Sequence, residues 1–207
     1  MKQLRISFAL HADLGALLQY FCTVLPLFHF DNMAECKRVV VSILQKNVPL
    51  SSQSRVGMML KQSLSILQSD SKPAIHSCLF FLNYSLHRVR TLTHYPDDIV
   101  RPLVNTLLTL IRSPSVSLLD AEIFGDALSC LYFFRNIAFL HATLLAAPYH
   151  MLLLGGMERF AALLDDSTER ADAWTTTLNG VASGLLLLAE MLYDDPPTGS
   201  SACGRGA

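Results

Sequence analysis

Apolar residues recur at three-to-four spacing along most of this chain, the period of an amphipathic helix. An apolar region covers 4–30, with Pro26 near its end. Asn32 followed by Glu35 reads as a capping box, opening a helix through Cys36, Val39, Val40, Ile43 and Leu44 that Asn47-Val48-Pro49 ends. The spacing of Val56, Met59, Leu60, Leu64 and Leu67 predicts a helix over 52–69. Asp70-Ser71-Lys72-Pro73 is then a turn, with Pro73 suited to a first helical turn. Ile75, Leu79, Leu82, Leu86 and Val89 mark the next helix, to about Thr93. Pro96-Asp97-Asp98 opens another, with two carboxylates in its positive first turn. Leu103, Leu107, Leu110 and Ile111 line its inner face, and Pro102 is expected to shift or kink its start.

After the Ser113-Pro114-Ser115 break, Ser117 with Asp120 three residues later begins the longest apolar helix, expected to reach about Leu140. Pro148 and Gly155-Gly156 are expected to bound a short helix, with Met157–Leu164 forming a separate one. Asp165-Asp166-Ser167 is a turn. A last helix or helix pair runs to Tyr193, where Asp194-Asp195-Pro196-Pro197 stops it. The tail over 194–207 is small and polar and is expected to be disordered.

One word repeats. Cys78-Leu79-Phe80-Phe81-Leu82-Asn83 recurs 52 residues later as Cys130-Leu131-Tyr132-Phe133-Phe134-Arg135-Asn136. Helical units recurring at a few tens of residues are the signature of a stacked array, in which each unit buries its apolar face only against its neighbours.

The string Phe133-Phe134-Arg135-Asn136-Ile137-Ala138, followed by Leu154-Gly155-Gly156-Met157 and Phe160-Ala161-Ala162-Leu163-Leu164, resembles the third-helix end and next-repeat start of the armadillo family. A weaker copy lies upstream over 78–85 and 97–115, and in the last copy Glu190 stands about where the Asn would be. The resemblance covers about 70–193. It implies an all-α fold, a right-handed α-solenoid of about four to five stacked armadillo/HEAT-like repeats over 1–193. The 52-residue interval exceeds the usual repeat of roughly 40, so an insertion or a HEAT-like unit is expected.

The resemblance also implies a concave groove that takes extended peptides, with an Asn on each third helix bonding the peptide backbone and an aromatic one turn earlier. Tyr132 and Asn136 match that pattern and, four apart, are expected to share a helix face. Asn83 is paired with Leu79, so its aromatic is missing; Trp174 and Asn179 are five apart. The regular Trp/Asn ladder of nuclear-import adaptors is absent. Arg135, Arg88 and Arg90 are candidates for an acidic partner segment.

Composition agrees with a core-rich helical protein: 51% of the 207 residues are apolar and 16% charged. The net charge is −1 but unevenly placed. Residues 1–112 hold twelve Lys/Arg against six Asp/Glu, and 113–207 hold four against eleven. Neither half has the long basic stripe of a duplex binder, so nucleic acid is not an expected partner. The halves leave an alternative open, an assembly module joining copies of the chain through opposite charges.

Five widely spaced cysteines fit a reducing, intracellular compartment, cytoplasmic or nuclear. His11 and Asp13 interrupt what could mimic a secretory signal after Lys2 and Arg5. Trp174–Tyr193 has the length of a membrane span, but Asn179, three threonines and Glu190 favour a buried solenoid helix. A membrane-associated helical protein is a lesser alternative.

No phosphate-binding loop, nucleophile motif or metal-ligand spacing stands out among the seven histidines and the cysteines. Asp97/Asp98 and Asp165/Asp166 fall at helix starts or turns, where capping accounts for them. No catalytic residue, metal, cofactor or small-molecule substrate is therefore expected. The sequence reads as a non-catalytic protein–protein interaction scaffold, a terminal part of a larger one, whose partner is a protein or peptide.

Overall fold

The computed structural model describes residues 53–86, 97–137, 139–164 and 171–193. Among these, every regular element is an α-helix: α1 Gln53–Leu67, α2 Lys72–Leu86, α3 Asp97–Arg112, α4 Leu118–Phe133, α5 Leu140–Ala146, α6 Tyr149–Leu164 and α7 Ala171–Tyr193. The expected helices before residue 52, the turn at 165–167 and the tail over 194–207 lie outside the described residues.

Sequence signals place several of these ends. Ser117 caps α4: its Oγ accepts from the Asp120 amide at 3.2 Å and donates to the Asp120 carboxylate at 2.6 Å. Asp97 and Asp98 occupy the first turn of α3 and Arg112 its last, each matched to the helix dipole. Pro102 sits inside a continuous α3, where Thr106 Oγ1 donates back to its carbonyl at 2.9 Å.

The core is organised around α4. This helix packs against α2, α3, α6 and, most extensively, α7, while α1 lies on α2 and α3. Every residue from Asp120 to Leu128 is buried, so over that stretch α4 has no solvent face. Its apolar part (Ala121, Ile123, Phe124, Ala127, Leu128, Leu131) meets the inner faces of its neighbours. From α3 these are Val100, Leu103, Val104, Leu107, Leu108 and Ile111. Each fully buried large side chain contributes about 1.5–3 kcal/mol by removal from water, so wrapping one helix on several sides is the principal source of cohesion.

Small residues bring α4 and α7 into backbone contact. A Cβ added at Gly125 would lie 2.6 Å from the Thr176 carbonyl oxygen, and one added at Gly180 would overlap the Gly125 backbone. Thr177 Oγ1 donates to the Ala121 carbonyl at 3.0 Å across the same seam.

Three expectations are corrected. The helix begun at Ser117 ends at Phe133, not near Leu140. The Phe134 amide folds back to the Leu131 carbonyl at 3.0 Å, which tucks the Phe134 ring into the core edge-on against Phe133, with centroids 5.8 Å apart. Burying that ring outweighs one more helical turn.

Gly155-Gly156 is not a link between helices, because α6 runs unbroken from Tyr149 to Leu164. Gly156 is instead a packing device: a Cβ there would overlap the Phe124 ring.

Lastly, α7 is not buried on all sides. Ala173, Thr177, Gly180, Gly184 and Leu187 face the core, whereas Trp174, Leu178, Leu185, Leu186, Leu192 and Tyr193 are exposed. Ala173–Tyr193 is the one stretch among the described residues long and apolar enough to cross a membrane.

Candidate functional site

The sequence candidates fall at two places. Tyr132, Arg135 and Asn136 gather at the C-terminal end of α4. Tyr132 is half-buried on the last helical turn. Because the helix stops at Phe133, Asn136 lies in the following turn, exposed, and does not share a helix face with Tyr132. The third member closes the group. The Arg135 guanidinium stacks over the Tyr132 ring at 4.6 Å from its centroid, and its Nη1 donates to the Tyr132 carbonyl at 3.4 Å. Its Nε lies 3.7 Å from a Glu190 carboxylate oxygen on α7. Arg135 thus bridges α4 and α7 while about a third of its side chain stays in solvent. A guanidinium held flat on an aromatic ring is pre-organised, so a second carboxylate or a carbonyl can approach it with little further ordering.

Asn83 is placed differently. Its amide nitrogen donates from α2 to the Asp126 carboxylate at 2.9 Å and to the Asp126 carbonyl at 3.1 Å, and its oxygen accepts from Cys130 Sγ at 3.0 Å. Asn83 therefore joins α2 to α4. Arg88 and Arg90 lie outside the described residues.

Around Asn83 runs a row of polar groups that the sequence reading did not single out. His76 Nε2, buried on α2, stands 3.4 Å from a Glu122 carboxylate oxygen and 3.9 Å from an Asp126 one. At the start of α2, Lys72 Nζ pairs with Asp120 at 2.8 Å and donates to Ser115 Oγ at 2.7 Å. Burial works against ionisation of Asp120, but hydrogen bonds from Lys72, Ser117 and Ser115 outweigh it and hold its carboxyl below the ordinary value. Burial, with the Asp126 charge adding to it, pushes the Cys130 thiol well above its ordinary range. A signal for this row was present: Glu122 and Asp126 stand four apart in a largely apolar helix, so a common partner on a facing helix had to meet them. The row also shows where some of the chain's divided charge goes, since Lys72 belongs to the basic half and Asp120 to the acidic one.

A cavity of about 200 Å³ lies where α2, α3, α4 and α6 meet, with Lys72, Asp120, Ile123, Phe124, Arg159 and Phe160 in its wall. Its cations are committed to the fold. Arg159 reaches from α6 to the carbonyls of Ser113 and, at 2.9 Å, Ile111, capping the end of α3. Lys72 is held by Asp120 and Ser115. Among the described residues, no group of three His, Cys, Asp or Glu side chains is arranged to hold a metal ion.

Of these places, the Tyr132–Arg135–Glu190 junction combines a pre-organised cation, an aromatic ring and access from solvent. In comparisons with known proteins, no family model, no curated protein and no solved structure matches this chain.

Proposed function

We propose that this protein is a non-catalytic interaction module that takes a segment of a partner protein at the α4–α7 junction. The observation that carries this reading is Arg135, held between the Tyr132 ring and Glu190 and still partly open to solvent. Aromatic and Arg side chains of that kind form the anchors of protein interfaces. Asn136, exposed in the next turn, adds an amide able to bond a peptide backbone. The incoming segment would be extended and would carry a carboxylate that competes with Glu190 for Arg135.

In the same reading the helices form a right-handed α-solenoid of about four to five armadillo/HEAT-like units. Stacking of α1 onto α2 and α3, of α2 and α3 onto α4, and of α4 onto α7, supports it. The cysteines Cys78 and Cys130 are buried outside any disulfide, in keeping with an intracellular, reducing setting.

The test is affinity capture with quantitative mass spectrometry, followed by titration of the purified partner, using wild type, Tyr132→Ala, Arg135→Ala and Asn136→Ala. A partner bound by wild type and weakened at least tenfold by Arg135→Ala and Asn136→Ala, at unchanged melting temperature, supports the junction. Unchanged binding alongside a large stability loss in Tyr132→Ala would sink it.

A further inference from the structure

On the outer side of α7 the exposed apolar residues form a seam. Leu178, Leu185 and Leu192 stand seven apart, and Trp174, Val181 and Leu188 stand seven apart between them. The combined spacing of four, three, four, three, four is a heptad pattern over more than two heptads, the repeat along which helices pair by interlocking side chains. This seam is distinct from the inner face through Ala173, Thr177, Gly180, Gly184 and Leu187, which α4 and α6 already cover. Trp174, Leu178, Leu185 and Leu192 are 43%, 46%, 46% and 72% exposed, and Val181 and Leu188 between them are half-buried, packed on one side against the core. Beside the seam stand Thr175, Ala182 and Ala189, small enough to let a second helix approach.

We propose that this seam pairs with the same seam of a second copy of the chain, making a two-fold dimer through α7. Two observations favour a second copy over other occupants. The first is area. The exposed fractions of Trp174, Leu178, Leu185 and Leu192 on the seam, and of Leu186 and Tyr193 beside it, at roughly 150–250 Å² per large side chain, leave on the order of 600 Å² of apolar surface on the seam and its flank together. That is at the upper limit for a monomer and approaches the roughly 800 Å² per partner of a stable interface.

The second is charge. No ionisable residue lies on the seam, so a self-complementary pairing brings no like charges together. Nor does α7 carry any Lys or Arg from Ala171 to Tyr193, although a helix lying in a bilayer surface is characteristically rich in them on its polar side. To span a bilayer, α7 would have to give up the Gly125–Gly180 contact and the Thr177–Ala121 hydrogen bond.

The experiment is sedimentation equilibrium of the full chain up to ~200 μM, where micromolar affinity is saturated, at low and high salt. It compares wild type with Leu178→Glu/Leu185→Glu and with Asn179→Glu, an exposed α7 position off the seam. Circular dichroism and melting temperature verify folding of each variant. The expected result is a dimer that persists in high salt, survives Asn179→Glu and becomes monomeric in the double variant, with the dimer dissociation constant raised at least a hundredfold. A wild-type monomer throughout overturns the proposal, as does a dimer that the double variant leaves intact or that salt dissolves. Flotation of monomeric wild type with neutral phosphatidylcholine vesicles overturns it in favour of a bilayer. If the double variant fails to fold, Leu185→Gln alone, with the same readout, decides. The outcome is independent of partner capture at Arg135, which is held by Tyr132 and Glu190.

Discussion

The backbones of Gly125 in α4 and Gly180 in α7 touch, leaving no room for a β-carbon at either position. Alanine favours a helix over glycine by about 1 kcal/mol, so in open surroundings either replacement would stabilise. Here overpacking costs about 1–3 kcal/mol and has backbone on both sides, so Gly180→Ala and Gly125→Ala are expected to lower stability. Gly155, with open space where its β-carbon would go, is the internal control. Gly155→Ala is expected to leave stability unchanged or raise it by up to ~1 kcal/mol. Urea unfolding midpoints separate the two outcomes.

The two asparagines of the repeated word are expected to differ in kind. Asn83→Ala removes two donors from Asp126 and the acceptor of Cys130, all inside the α2–α4 interface. A loss of about 1–3 kcal/mol is expected, the cost of leaving buried polar groups without those bonds. Asn136 is exposed, and Asn136→Ala is expected to stay within about 0.5 kcal/mol of wild type. Equal effects on the melting temperature would contradict this division.

Cys130 is expected to be chemically silent in the folded protein. It is buried, and its thiol is held protonated by burial and by the Asp126 charge, whereas alkylation needs the thiolate. Mass spectrometry of iodoacetamide-treated protein should find the Cys130 peptide unmodified under native conditions and fully modified in urea. Rapid native labelling would show that the α2–α4 interface opens.

Asp120 sets an acid limit on stability. Its folded pKa lies below the ordinary 3.8, so its contribution is complete above that value and is lost as pH falls through the lower folded value. Lys72→Met removes one of the hydrogen bonds and the nearby positive charge that produce the depression. The acid unfolding midpoint, followed by circular dichroism, is expected to move to higher pH in this variant. No movement would mean that Ser117 and Ser115 suffice.

Much of the helical layout was legible because it rests on local rules. Ser117 and Asp120 announce the start of α4, Asp97 and Asp98 that of α3, and Leu103, Leu107 and Ile111 give the buried face directly. Gly155-Gly156 misled because its role is tertiary: glycine's low helix propensity argues for a break, and only the Phe124 ring packed against Gly156 explains a continuous helix. Asn136 misled for a related reason, since burial of Phe134 ends α4 before Asn136 can join its face. The junction itself was half legible. Tyr132 and Arg135 were readable as candidates, but Glu190 lies 55 residues from Arg135 and is brought there only by α7 running alongside α4 in the same direction.

Because α4 is enclosed by α2, α3, α6 and α7, its amide protons have no local route to water. Hydrogen exchange along Ala121–Leu131 should therefore report only the opening of the whole assembly, with a single rate-limiting free energy shared across those residues. The seven-residue α5, with only Leu140 and Leu144 anchored in the core, should exchange long before it. A helix that cannot fray by itself ties its neighbours into one cooperative unit, so a change at α2 should be felt at α7 through α4, the helix on which both pack.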